Sequence, residues 1–71
     1  MIENKIEKIG RLVKKFRKEQ GLTQEQLAAM SGAGVRFIRE LEQGKESCHI
    51  GKVLAVVAML GIEVQVDGVK L

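Results

Sequence analysis

The feature that most constrains this chain is a break, Ser31-Gly32-Ala33-Gly34, set between two stretches of helical pattern. Thr23 is placed to cap the first stretch. Its hydroxyl can accept an orphan N–H of the first turn, and Gln26, three residues on, can reach back to the Thr23 N–H. Leu27, Ala28 and Met30 give that helix an apolar face. The break itself is rich in residues that disfavour helix or tolerate positive φ. The second helix runs from about Val35 to Gln43, with Val35, Ile38 and Leu41 at spacing three and Phe37 beside them. Gly44 stops it, because glycine fits the left-handed position just past a helix end. Two helices of about eight residues do not persist alone in water, so their apolar stripes must be buried against the rest of the chain.

The flanking sequence supplies what they need. Residues 4–20 read as one amphipathic helix: Ile6, Ile9, Leu12, Val13 and Phe16 recur at three and four, and Lys8, Arg11, Lys15 and Lys18 form the far face. Asn4 is a candidate N-cap with Glu7 three later, and Gly21 a candidate stop. Gly10 weakens the middle by ~1 kcal/mol relative to alanine. It either allows a close helix approach or is merely tolerated. Residues 45–49 read as a polar loop. Residues 50–60 read as a last helix whose inward stripe is Ile50, Val53, Leu54, Val57 and Leu60. Ala55, Val56, Ala58 and Met59 leave it apolar nearly all round, so its spare face needs a cover, most simply a second copy of the chain. Gly61 ends it. Ile62-Glu63-Val64-Gln65-Val66 alternates as a half-buried strand does. A strand needs a partner. Either it pairs with its equivalent across a twofold axis, or Asp67-Gly68 turns it back onto Val69-Lys70-Leu71 through a type I′ turn.

The 71 residues support one domain, residues 1–71, small enough that oligomerisation is expected. The net charge of +3 is unevenly placed. Residues 1–20 hold seven Lys/Arg against three Glu, residues 21–45 balance three against three, and residues 46–71 hold two against three. Such a basic half suits phosphate contacts when a DNA-reading helix lies beside it, and otherwise is a solvated face. The single cysteine, Cys48, excludes an intrachain disulfide and a cysteine-rich metal site. The start has no signal-peptide core, and the longest apolar run, residues 53–60, is too short to span a bilayer. A cytoplasmic protein is expected.

The two short helices and their turn make a helix-turn-helix, whose second helix can enter the DNA major groove. The string resembles the phage repressor and Cro-like family, also called the XRE family. The matching residues are Gly21-Leu22-Thr23-Gln24, Leu27-Ala28, the turn at residues 31–34, then Ile38, Leu41, Glu42 and Gly44-Lys45. With the tail LAVVAMLGIEVQV, residues 54–66, it looks most like the HipB-like branch. The resemblance implies a mainly all-α, lambda-repressor-like domain of four to five helices, ending in a short β-strand that pairs across a dimer. The residues so placed at the dimer contact are Val56, Met59, Ile62, Val64 and Val66. The resemblance also implies a palindromic double-stranded operator and, for the HipB-like branch, a HipA-type kinase toxin as partner.

Carried residue by residue, the resemblance places Gln24 on a backbone phosphate at the start of the first short helix. Base-reading positions map to Gly34, Val35, Arg36, Arg39 and Glu40. Arg36 leads, because its planar fork can bond O6 and N7 of one guanine, a contact worth ~1–3 kcal/mol of discrimination. Phosphate is its alternative. Val35 suits a thymine methyl, and Glu40 suits cytosine N4 or the orienting of Arg36, four residues earlier. Lys45 and Arg39 are further phosphate candidates. Gly34 departs from the family, which usually has Ser or Thr there, so one side-chain contact is missing. Arg17 and Glu42 occupy the places of a structural ion pair in the family, with direct phosphate contact the alternative for Arg17. Phe37 is bulky for a DNA-facing position and is read as packing.

Other classes fit less well. His49 beside Cys48 has no ligand companions at zinc spacing. No nucleophile set and no strand-flanked phosphate loop occurs, so no enzyme, cofactor or metal is expected. The aromatic interleaving of single-strand RNA binders is absent. An interaction module built on a helix-turn-helix scaffold is the remaining alternative.

Overall fold

Capping chemistry sets the helix boundaries in the computed structural model, which describes residues 5–45 and 49–71. Four helices come in order: α1 (Lys5–Glu19), α2 (Gln24–Ser31), α3 (Val35–Glu42) and α4 (Ile50–Met59). The strands β1 (Gln65–Val66) and β2 (Val69–Lys70) follow. Thr23 and Gln26 form the reciprocal capping box at α2, with bonds of 3.0 and 2.8 Å. At the end of α3, the Lys45 N–H reaches the Glu40 carbonyl and the Gly44 N–H reaches Leu41. This is a Schellman closure, and Gly44 provides its left-handed residue with φ +79°. The ends of α1 and α4 close the same way around Gly21 and Gly61. The proposed Asn4 cap and Cys48 lie outside the described residues. No described helix is long and apolar enough to cross a membrane.

The core gathers one stripe from each helix. Val13, Leu27, Ile38 and Val56 are completely buried, and Ala28, Ala33, Leu41, Val53, Val57 and Leu60 close around them. α3 packs on α1 and α2, and α2 packs on α4. At Gly10, α1 and α3 approach closely: a methyl there would run into the Leu41 carbonyl. Its role is therefore close packing. Phe37 lies half-buried against the core, and its ring faces the Lys52 ammonium at 5.7 Å. Just past α1, the Gln20 amide donates to the Leu60 carbonyl across the fold, tying the end of α4 to the end of α1 (2.8 Å).

Two expectations are corrected here. The first is the inward face of α4. Val56 faces into its own protomer's core and has no exposed surface, so it cannot touch a partner in this fold. Ile50, expected inside, is 66% exposed. The buried set is Val53, Val56, Val57 and Leu60, whose spacing matches a helical stripe as well as the expected set did. When nearly every residue of a helix is apolar, periodicity does not fix the phase.

The second correction concerns the strand. Of the two pairings the sequence left open, the resemblance implied the one across a dimer, whereas within the chain β1 takes the other, antiparallel to β2, with Gln65 opposite Lys70 and Val66 opposite Val69. The Leu71 N–H extends the pairing to the Val64 carbonyl at 3.0 Å. Asp67 and Gly68 both take positive φ, 51° and 79°, the signature of a type I′ turn whose twist suits a hairpin. β1 also starts late. The Ile62 N–H is already committed to the Val57 carbonyl in closing α4.

Candidate nucleic-acid interface

α3 is held from beneath by a buried polar knot. The Arg17 guanidinium donates to both Glu42 carboxylate oxygens, Nε to Oε2 at 2.7 Å and Nη2 to Oε1 at 3.1 Å. Its Nη1 donates to the Leu22 carbonyl at 2.8 Å. The Gln24 amide donates to Glu42 Oε1 at 3.1 Å. One carboxylate at the end of α3 thus gathers the end of α1 and the first residue of α2. The two charged side chains are only 10% and 4% exposed. Hydrogen bonding to Glu42 raises the Arg17 pKa against the opposing effect of burial, so the guanidinium stays ionised well beyond neutral pH. The family resemblance implied the pairing of Arg17 with Glu42. The part played by Gln24 was not visible, because its reach across to α3 depends on how the two helices cross.

Above this knot the outer face of α3 is charged. The Arg36 side chain is 87% exposed. Glu40, one turn on, lies 3.6 Å from Arg36 Nε and 3.4 Å from Lys45 Nζ, both measured to the same oxygen, Oε2. The structure therefore brings Arg36, Glu40 and Lys45 together. Arg39 is exposed, and Val35 is half-buried with its side chain packed toward the core. Gln24 is half-buried. Gly34 is the N-cap of α3 at φ 84° and ψ 143°, offers no side-chain cap, and is open to solvent. That backbone conformation belongs to glycine. The family's usual Ser or Thr would be strained here, which accounts for the departure at this position.

The remaining predicted contact residues lie on the other side of α4 and in the tail. Met59 and Val66 are exposed, while Ile62 and Val64 are half-buried. Ile62, Val64 and Val66 border an apolar groove of about 470 Å³ between α1, α4 and the hairpin, whose walls include Leu12, Ile50, Leu54 and Leu71, whereas Met59 lies outside it. Leu12, Ile50 and Leu71 are exposed and Leu54 is half-buried, and none of the four was read as lining a surface groove. Leu71 had been left in an undecided tail, and the other three had been placed in the inward stripes of their helices. Among the described residues, no group of three or more His, Cys, Asp or Glu side chains is placed to hold a metal ion.

Residues 13–66 match the family model described as Helix-turn-helix. The chain is also 50% identical over 58 residues to "Uncharacterized HTH-type transcriptional regulator y4mF" of Sinorhizobium fredii (strain NBRC 101917 / NGR234). The alignment covers 82% of this chain and 76% of that protein.

Proposed function

Because the chain belongs to the XRE-type helix-turn-helix family, we propose that it is a sequence-specific, double-stranded-DNA-binding transcriptional repressor that acts as a homodimer on a palindromic operator. The observation that carries this reading is the exposed Arg36 on a helix braced from below by the buried Arg17–Glu42 pair. A base-reading side chain must project from a rigid frame, and α3 has that form. Gln24 and Lys45 flank the helix as phosphate donors, and Arg39 adds a cation. Val35 and Gly34 bring the helix N-terminus close to the groove floor. One such helix covers too little DNA for tight specific binding. Two copies reading half-sites about one helical turn apart solve this. The apolar groove beside α4 and the hairpin is the surface we assign to the dimer contact, with Ile62, Val64 and Val66 at its border and the exposed Met59 on the same helix.

The narrower reading makes the protein an antitoxin that represses its own operon and binds a HipA-type kinase. It rests on the resemblance of residues 54–66 to the HipB-like tail. Co-purification of a kinase-sized protein from the native host supports it, and a lone homodimer on the operator assigns a free-standing or phage-type repressor instead. The general reading is tested by selecting genomic fragments on the purified protein and footprinting those retained. A symmetric footprint that Arg36→Ala abolishes, while the helical circular dichroism persists, is the expected result. Retention of every fragment without a footprint would reduce the site to a generic basic surface. No retention would leave an interaction module.

A further inference from the structure

We propose that Glu40 is a specificity-determining residue: its carboxylate holds the two cations of the reading face in check, and it yields them only to DNA that offers a base donor in their place. The proposal rests on the DNA-binding reading above. Its physical basis is the sharing of Oε2 by Arg36 Nε at 3.6 Å and Lys45 Nζ at 3.4 Å. Arg36 is on the first turn of α3 and Lys45 lies past its end, so a single acid bridges both ends of the reading surface. The two cations are largely solvated, 87% and 60% exposed, whereas Glu40 is only 23% exposed. The acid is the fixed member of the cluster and the cations are its movable members.

An acid on such a surface opposes DNA in general. Phosphates repel it, and they must draw Arg36 and Lys45 away from it before either can neutralise backbone charge. A donor in the major groove, the N4 amine of cytosine or the N6 amine of adenine, changes that balance. It offers the carboxylate a hydrogen bond as the cations leave. Arg36 is then free for a guanine and Lys45 for a phosphate. Glu40 thereby penalises wrong sequences more than it assists the right one, the repulsive half of a specificity device.

Glu40→Gln tests this, since the amide keeps size and shape and removes the charge. Binding to the footprinted duplex and to a duplex of random sequence is measured over a salt series. Random-sequence affinity is expected to rise roughly three- to tenfold, the equivalent of losing two exposed ion pairs. The slope of log affinity against log salt is expected to steepen by about one to two, as one or two freed cations reach phosphates. The ratio of specific to random binding is expected to fall. Glu40→Asp, which keeps the charge on a shorter stem, is expected to retain the wild-type slope more nearly than Gln does. An unchanged slope in Glu40→Gln, or weakened binding to both duplexes, overturns the proposal. If the wild-type protein retains no DNA, the DNA-binding reading itself has failed; if it binds and footprints but Glu40→Gln leaves the slope unchanged, only the role of Glu40 has failed.

Discussion

At the scale of single residues, the buried acid Glu42 does the most. It accepts from Arg17 twice and from Gln24 once, with almost no exposure. Removing one charged member strands the other in a poorly solvated place. Arg17→Ala is therefore expected to lower unfolding stability by ~3–5 kcal/mol in urea denaturation. The double variant Arg17→Met with Glu42→Leu should recover much of that loss, because no charge remains to be buried. The raised Arg17 pKa means the contribution from this side of the pair is complete below the ordinary arginine range and fades only in strong alkali. Stability between neutral pH and moderate alkalinity should accordingly show no step from Arg17. Gly10 gives a prediction of opposite sign to propensity. Alanine in a helix ordinarily gains about 1 kcal/mol over glycine. At Gly10 the added methyl meets the Leu41 carbonyl, which belongs to backbone and cannot step aside. Gly10→Ala should destabilise by about 1–3 kcal/mol in the same assay.

At the scale of elements, legibility in the sequence followed the locality of the signal. The capping box at Thr23 and the stops at Gly21, Gly44 and Gly61 depend on residues within one turn of each other, and the helices begin and end where those residues say. The phase of α4 was not legible, because an almost wholly apolar helix carries two equally good stripes. The pairing of β1 was not legible either. A type I′ Asp-Gly turn and a cross-dimer strand make the same alternation, and the local turn prevailed within the chain. In the candidate site, Arg36 and Glu40 could be placed on one face by their spacing of four, whereas the approach of Lys45 to Glu40 and the link from Gln24 to Glu42 required the folded chain. Gly34 shows how a family rule can fail locally. Serine is ordinarily the better helix cap. With φ at 84° here, Gly34→Ser should cost about 1–3 kcal/mol, read as a lowered denaturation midpoint.

At the scale of the whole molecule, the chain presents two contrasting surfaces on one core. The outer face of α3, proposed to read DNA, is charged, and the groove beside α4 and the hairpin is apolar. A charge placed in that groove should separate the two. Leu54→Glu is expected to leave the helices intact by circular dichroism and shift sedimentation toward the monomer. Operator affinity should then fall much more than random-sequence affinity, since only paired half-sites are lost. The central claim is that the outer face of α3 is the surface that meets DNA. It is tested most directly by mapping amide chemical-shift changes as a footprinted duplex is added. Changes centred on Gln24, residues 34–40 and Lys45 are the predicted result. Changes centred instead on Lys8, Arg11, Lys15 and Lys18 of α1, with α3 unmoved, would contradict it.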